Sequence, residues 1–218
     1  MTGADHETAG AAAGAGEARL RFGAVLLAAG ASRRMGRPKL LLPWCATTVL
    51  GRGLELWNEV GAAVVLVVHA AGDVALLAEL DRLGVLACDR VANPRPERGM
   101  SSSIRCAAAV VAERPEPGHW VIALGDQPHL RRDTLRQLLA FAGAHPDAIC
   151  QPAAAGRPAH PVVLPRAALL EFGRSPDAML REFLARHAAE RQFLETGDSS
   201  LELDLDRPED YERARELG

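Results

Sequence analysis

Short apolar runs alternate with longer amphipathic stretches along the chain from Leu20 onward. The runs at residues 22–28, 62–69 and 119–124 are continuous, which is typical of strands buried on both faces of a parallel sheet. Helix-like stretches lie between and after these runs, at residues 47–60, 72–83, 101–113 and 131–143. Strands that alternate with helices at this spacing predict a parallel sheet covered by helices on both faces.

The alternation loosens after about residue 148. We predict short strands at Ile149 and at residues 161–164, 192–194 and 201–205, and helices at residues 166–172 and 176–188. A final helix is expected from Pro208, because proline suits a first helical turn. The predicted fold class is therefore α/β, with a mainly parallel sheet in the first two-thirds and a mixed C-terminal extension. We expect one domain over residues 19–218, preceded by a disordered Gly/Ala-rich tail over residues 1–18.

Composition and net charge exclude several classes of protein. The chain of 218 residues is 48% hydrophobic and 24% charged, as is usual for a globular protein. A net charge of −3 and a pI near 6.2 argue against a nucleic-acid-binding domain, which is usually basic. No apolar run reaches the roughly 18 residues that a membrane span requires, and the first residues do not resemble a signal peptide. We therefore expect a cytoplasmic protein without nucleic-acid or membrane partners.

The cysteines are far apart in the chain and include no Cys-x-x-Cys pair. This spacing predicts neither a zinc site nor a thioredoxin-like redox motif. We expect these thiols to be reduced and mostly buried; they are Cys45, Cys88, Cys106 and Cys150.

A basic loop follows the first predicted strand, where open α/β sheets bind ligands. It reads Leu-Ala-Ala-Gly-Ala-Ser-Arg-Arg-Met-Gly-Arg-Pro-Lys over residues 27–39, and its small residues would let a base or sugar approach the backbone. A triphosphate is the natural counter-ion for the cations that follow, and a solvated basic loop is the alternative. These cations, with no acid among them, are Arg33, Arg34, Arg37 and Lys39, the last being the one lysine among the 25 Lys and Arg residues.

Two aspartates follow predicted strands. Asp126 comes after the apolar run at residues 119–124, so it should emerge at the same sheet edge as the basic loop. A carboxylate there can hold Mg²⁺, which takes one or two protein carboxylates together with phosphate oxygens and water. Asp206 ends the predicted strand at residues 201–205 and would share a face with Asp204. The alternative is a turn or helix-capping role for Asp126 and a capping role for Asp206.

Four ordered motifs resemble those of the molybdenum-cofactor nucleotidyltransferases, a branch of the nucleotidyltransferases that release pyrophosphate. They are the basic loop continued to Leu-Leu-Leu-Pro (residues 27–43), Asn-Pro with Gly-Met-Ser-Ser-Ser-Ile (93–94 and 99–104), Leu-Gly-Asp-Gln-Pro (124–128) and Asp-Leu-Asp-Arg-Pro-Glu-Asp-Tyr (204–211). The resemblance implies a three-layer α/β/α, Rossmann-like nucleotidyltransferase fold. It also implies transfer of CMP from CTP to the terminal phosphate of molybdenum-bound molybdopterin, which forms molybdopterin cytosine dinucleotide and releases pyrophosphate.

The resemblance assigns roles to individual residues. Lys39 and Arg33 would be catalytic and offset charge on the β- and γ-phosphates, while Asp126 and Asp206 would hold Mg²⁺. Where this family usually has threonine before the proline of the last motif, the chain has Arg207. The implied nucleotide-binding residues are Ala28, Ala29, Gly30, Arg33, Lys39, Met100, Ser101, Ser102 and Asp126.

Two short segments bear on substrate choice. The Ala28-Ala29 pair fits the cytidylyl branch of the family, and residues 100–102 would lie beside the base and favour cytosine over guanine. A serine that caps a helix is the alternative for residues 101–103. The segment Gly-Arg-Pro-Ala-His-Pro-Val (156–162) is similar to a Gly-His-Pro-Val substrate loop, with Ala159 in place of glycine. His160 would contact the acceptor there, and a structural histidine is the alternative.

Two other functions remain open from the sequence. The first is a nucleotidyltransferase of the same fold that acts on a sugar 1-phosphate or another small phosphate, because residues 145–200 match the family least. The second is a non-catalytic assembly protein that binds the cofactor for a molybdenum hydroxylase; intact Lys39 and Asp126 argue against it. CTP and molybdenum-bound molybdopterin are the implied small-molecule partners, and a molybdenum hydroxylase or its assembly factor is the implied protein partner.

Overall fold

A computed structural model describes residues 20–217, so the tail predicted over residues 1–18 lies outside the described residues. The strands are β1 (Phe22–Leu27), β2 (Pro43–Trp44), β3 (Thr47–Thr48), β4 (Val65–Ala70), β5 (Arg90–Asn93), β6 (His119–Leu124), β7 (Ile149–Ala154), β8 (Arg157–Pro158), β9 (Val162–Pro165) and β10 (Arg191–Glu195). The helices are α1 (Val49–Glu59), α2 (Val74–Arg82), α3 (Met100–Ala112), α4 (Arg132–Ala144), α5 (Arg166–Arg174), α6 (Leu180–Arg186) and α7 (Pro208–Leu217).

The central sheet has the strand order β10-β7-β9-β6-β1-β4-β5, and β8 pairs with β7. Strands β6, β1, β4 and β5 are parallel, whereas β9 runs antiparallel to both β6 and β7. Strands β2 and β3 form a separate small hairpin. The predicted parallel sheet with a mixed C-terminal extension is therefore confirmed.

The strands at the centre of the sheet are buried on both faces. In β1, Val25 contributes to the hydrophobic core on the side of α3, α5 and α6, while the next residue, Leu26, contributes to the core on the side of α1, α2, α4 and α7. Successive side chains of a strand point to opposite faces, so a continuous apolar run supplies both cores at once. The result is the predicted three-layer α/β/α arrangement.

Two predictions of local structure were wrong. Residues 201–205 are not a strand: a 3-10 helix covers Ser199–Glu202, and no sheet pairing follows it among the described residues. The alternating apolar positions reflect side-chain burial instead, because Leu201, Leu203 and Leu205 all lie in the core beside α7. The helix predicted over residues 176–188 begins only at Leu180.

Strand β5 was not predicted. It is the four-residue edge strand of the sheet, and its burial alternates, with Val91 and Asn93 buried and Ala92 exposed. A short segment with one large apolar residue lacks the continuous run that marks the central strands.

The prediction that the cysteines are mostly buried was also wrong. Cys150 is buried and Cys106 half-buried, but Cys45 and Cys88 are exposed. Burial raises the pKa of the Cys150 thiol to about 11, so that thiol is unreactive near neutral pH. Over residues 20–217, no helix is long and apolar enough to cross a membrane.

Candidate active site

The ends of β1 and β6 bring two chemically important loops together. The strands are parallel neighbours, and the Gly125 N–H donates to the Leu27 carbonyl at 2.9 Å. A Cβ on residue 125 would lie 2.7 Å from that carbonyl oxygen, closer than real side chains allow. Glycine at this position therefore lets Asp126 sit directly beside the basic loop.

The basic loop folds back on itself through Ser32. The Ser32 carbonyl accepts from the Met35 N–H at 3.1 Å, and the Ser32 Oγ accepts from the Lys39 N–H at 3.2 Å. Met35 is buried, which anchors the middle of the loop, and Gly36 has a φ of 69° that favours glycine. These contacts return the chain to the sheet edge at Lys39.

Lys39 joins the two aspartates predicted to bind metal. Its ammonium group donates to the Asp126 carboxylate and lies 3.6 Å from Asp206 Oδ1. The Lys39 and Asp126 side chains are only 13% and 15% exposed, so this ion pair is partly shielded from water. The structure therefore brings together three of the residues singled out by the sequence.

Asp206 does not cap the last helix. Its Oδ2 accepts from Arg34 at 2.6 Å, in an ion pair whose arginine is 69% exposed. Asp210 accepts instead from the N–H groups of Asp206 and Arg207, at 3.3 Å and 2.9 Å, and so closes the start of α7. The Asp206 carboxylate faces the site.

Asp126 and Asp206 are suited to hold a divalent cation. Their oxygens converge on one ammonium group, which shows that a single cation can contact both carboxylates. Within residues 20–217, no group of three His, Cys, Asp or Glu side chains could hold a metal ion. Two carboxylates nevertheless match Mg²⁺, whose remaining ligands would be phosphate oxygens and water.

Asp204 is a third carboxylate at the site; the sequence placed it on a shared face with Asp206, but through a strand that does not form. Its Oδ1 accepts from Gln127 Nε2 at 3.1 Å. Although part of Asp204 faces solvent, protein atoms packed around its carboxyl raise its pKa, and the Asp126 carboxylate raises it further. The cluster therefore has an excess of negative charge, which favours a cation.

The other loop residues occupy different positions. Ala28 is buried, and its N–H donates to the Val68 carbonyl at 2.8 Å, while Ala29 is half-buried and Gly30 is exposed. Arg33 is exposed and makes no ion pair with residues 20–217. The structure therefore does not bring Arg33 into the charged cluster.

The serines at the start of α3 hold the second loop together. Asn93 is 1% exposed and donates through Nδ2 to the Oγ atoms of Ser102 and Ser103, at 2.8 and 2.9 Å. Ser102 Oγ donates to the Gly99 carbonyl at 2.7 Å, and Ser101 Oγ accepts from the Leu180 N–H at 3.2 Å. None of these serines caps α3, because its N-cap is Gly99 and makes no side-chain hydrogen bond.

A cavity of about 610 Å³ adjoins the second loop. Met100, Ser101 and His160 all line it, although the sequence assigned the first two to the nucleotide and the third to the acceptor. Burial lowers the pKa of His160, and the carboxylates of Asp204 and Asp126 partly counteract this effect, so the imidazole is neutral near pH 7. The cavity thus borders the carboxylate cluster.

The fold and the clustered charges define a nucleotidyltransferase: a basic loop and a carboxylate pair meet at the carboxyl edge of a Rossmann-like sheet. The family comparison is more specific. The chain belongs to the family of the MobA-like NTP transferase domain, whose model matches residues 24–192.

Among curated proteins, the chain is 26% identical to the molybdenum cofactor cytidylyltransferase of Escherichia coli K12, over 88% of this chain and 94% of that protein. Among solved structures, it is similar to Rv0371c of Mycobacterium tuberculosis H37Rv, with a TM-score of 0.71, 28% identity and coverage of 90% and 97% of the two chains. A second structure of Rv0371c, at a TM-score of 0.67, 28% identity and coverage of 90% and 98%, is a complex with manganese.

Proposed function

We propose that this nucleotidyltransferase transfers CMP from CTP to the terminal phosphate of molybdenum-bound molybdopterin and releases pyrophosphate. The observation that carries the proposal is the contact of Lys39 with both Asp126 and Asp206 beside the basic loop. The name of the E. coli relative supports cytidylyl transfer and the molybdenum cofactor as the acceptor. A cytoplasmic reaction, with a molybdenum hydroxylase or its assembly factor as recipient, belongs to the same proposal.

Asp126 and Asp206 would hold Mg²⁺, since their carboxylates already share one cation. Bound there, the ion would neutralise charge on the α-phosphate of CTP. The Lys39 ammonium, beside both carboxylates, is a compact positive charge suited to phosphate oxygens. Arg33 makes no ion pair with residues 20–217, so no such pair must break before it contacts the β- and γ-phosphates. Positioning and charge neutralisation are the main requirements of phosphoryl-group chemistry.

Nucleotide recognition would use backbone and small side chains. Ala28, Ala29 and Gly30 lie at the end of β1, where a base or ribose can approach without steric conflict. The side chains of Ser101 and Ser102 are engaged within the protein, whereas Met100 is 42% exposed. We assign cytosine contact to the backbone of residues 100–102.

The reaction needs no general base from the protein. The second pKa of a phosphate monoester is about 6, so the acceptor phosphate is mostly ionised near neutral pH. His160 is half-buried and neutral near pH 7, and we assign it contact with the acceptor rather than proton transfer.

Thermal unfolding with each nucleotide tests the choice of CTP. We expect CTP with Mg²⁺ to raise the melting temperature more than GTP, UTP or ATP with Mg²⁺, and more than CTP alone. Equal shifts for all four nucleotides would remove the support for cytidylyl transfer.

Pyrophosphate release with different acceptors tests the complete proposal. Molybdenum-bound molybdopterin should support CTP-dependent release, and glucose 1-phosphate should not. Release with the sugar phosphate alone would identify the enzyme as a sugar-phosphate nucleotidyltransferase. Binding of the molybdenum cofactor without any release would identify a non-catalytic assembly protein.

A further inference from the structure

The cavity of about 610 Å³ has an unusual balance of charge. Among the described residues that line it are three arginines and no aspartate or glutamate, in a protein whose net charge is −3. Arg98 and Arg181 are exposed at its rim and make no ion pair with residues 20–217. A volume of this size fits a small organic ligand, and the arginines favour an anionic one.

Arg191 is the most constrained of these arginines. It is half-buried; one of its terminal nitrogens donates to Gln151 Oε1 at 2.9 Å, and its guanidinium lies 4.6 Å from the centre of the Phe193 ring. Gln151 is 5% exposed and is itself fixed by donating to the Ala159 carbonyl at 3.3 Å. The Nε of Arg191 is buried and has no hydrogen-bond partner in the described structure. Because this Nε is buried, the donors that Arg191 can offer to a ligand in the cavity are its terminal nitrogens.

The remaining walls are apolar. The side chains of Met100, Met179, Leu180, Leu184 and Val162 line the cavity between the start of α3, the sheet and α6. Such walls accommodate an apolar organic body, and methionine adapts to its shape. The ligand that matches this lining therefore combines an anionic group with a weakly polar organic body.

The cavity is separate from the basic loop but adjoins the carboxylates. No residue of the 28–39 loop lines it, whereas His160 does, and His160 is near enough to Asp126 and Asp204 for their charges to affect its pKa. A ligand in the cavity would therefore lie near the carboxylates and apart from the basic loop. This is the position that an acceptor in a transfer reaction needs.

We infer that this cavity is the acceptor site and that it selects anionic phosphomonoesters through Arg191, Arg181 and Arg98, with Gln151 positioning Arg191. The inference rests on the proposed nucleotidyl transfer, which gives the reaction. It adds which residues bind the acceptor and which chemical class of acceptor they select.

Flavin mononucleotide and riboflavin are a suitable pair of probes, because both are flat and fluorescent and they differ only in the phosphate. The full chain should bind flavin mononucleotide at least tenfold more tightly than riboflavin. Arg191→Gln should weaken the binding of flavin mononucleotide about tenfold, in line with loss of a charged hydrogen bond, and Arg181→Gln should weaken it less. Arg174→Gln, which changes an arginine outside the cavity, is the matched control.

Several results would overturn the inference. Equal binding of the two flavins, no binding of flavin mononucleotide at millimolar concentration, or identical affinity of wild type and both cavity variants would each contradict it. Displacement of the flavin by CTP with Mg²⁺ would assign the cavity to the nucleotide instead. Thermal unfolding of each variant shows that it is folded, and because Arg181 is exposed, Arg181→Gln changes no core contact.

Steady-state kinetics separate this inference from the proposed function. Arg191→Gln should raise KM for molybdopterin about tenfold and leave KM for CTP within twofold of wild type. If CTP is turned over but neither arginine affects the acceptor, the cavity assignment alone fails. If flavin binding depends on the arginines but CTP releases no pyrophosphate, the nucleotidyl transfer fails and the anion site remains.

Discussion

Lys39 and Asp126 are 87 residues apart in the chain, yet the Lys39 ammonium donates a hydrogen bond to the Asp126 carboxylate. The pair forms because parallel strands β1 and β6 end at the same edge of the sheet and Gly125 permits close approach of their ends. Asp206 lies 3.6 Å from the same ammonium. These contacts define the proposed cation site, and several substitutions can test it.

Replacing Lys39 with arginine keeps the charge but changes its shape. The Lys39 side chain is 13% exposed between two carboxylates, where a planar guanidinium does not fit without displacing them. We expect Lys39→Arg to lower kcat/KM for CTP by about 10- to 100-fold. A decrease of this size corresponds to the loss of about one charged hydrogen bond in the transition state. Arg37→Lys, at an exposed loop position, is the control, and near-normal turnover of Lys39→Arg would contradict the role of the lone lysine.

Asp126→Asn should weaken divalent metal binding. Removing one of two carboxylates that share a cation leaves Asp206 as the remaining carboxylate of the pair. We expect at least a tenfold weaker affinity for Mn²⁺ in a calorimetric titration with CTP present, and loss of pyrophosphate release. Asp133→Asn, whose carboxylate is 85% exposed on α4, is the matched control. Unchanged metal affinity in Asp126→Asn would place the metal elsewhere.

Gly125→Ala tests the close approach of the strand ends. Because the new Cβ would lie 2.7 Å from the Leu27 carbonyl oxygen, the two strands must separate. We expect a loss of about 1–3 kcal/mol in the free energy of unfolding, as for other overpacked positions. Gly118→Ala, just before the start of the same strand, meets no atom within 4 Å and should be nearly neutral. Equal stability of the two variants in urea unfolding would refute the steric argument.

Asp198 should make stability depend on acid pH. Burial alone would raise its pKa, but hydrogen bonds from Ser200 and Thr134 outweigh it and lower the pKa. A carboxyl with a lowered pKa adds stability above its unfolded value of about 3.9, and this stability disappears as the pH falls through the folded pKa. Asp198→Asn should therefore cost about 1–3 kcal/mol at pH 7 and progressively less below pH 4.

Urea unfolding at pH 7 and pH 3 measures the Asp198 effect. Asp147→Asn replaces an exposed carboxylate and should show no such dependence. A cost of Asp198→Asn that is equal at both pH values would show that the hydrogen bonds do not depend on ionisation.

Arg105 fixes the segment that leads to the cavity wall. It donates to the carbonyls of Phe172, Gly173 and Ser175, at 3.0, 3.2 and 2.9 Å, just before Met179 and α6. Arg105→Gln should lower stability by about 2–4 kcal/mol, since several charged hydrogen bonds are lost. It should also raise KM for the acceptor without changing KM for CTP. A variant with wild-type stability and an unchanged acceptor KM would exclude this positioning role.

Local sequence patterns were sufficient to predict the central strands of the sheet. The continuous apolar runs predicted β1, β4 and β6, since strands buried on both faces need apolar residues at nearly every position and these runs are too short for helices. The same pattern failed for residues 201–205, where burial of alternate leucines is produced by an irregular segment packed on the core. Alternating buried and exposed residues therefore do not by themselves distinguish a paired strand from an irregular segment packed on the core.

The sequence by itself determined the parallel α/β class, the basic loop and the placement of Asp126 next to it, because parallel strands end at a common edge. Tertiary structure decided which groups meet there: it brought Asp206 and Asp204 to Lys39 and Asp126 from the far end of the chain. It also joined Met100, His160 and Arg191 in one cavity. These contacts depend on how distant segments of the chain pack against one another. A local sequence pattern does not specify the distance between side chains that are far apart in the chain.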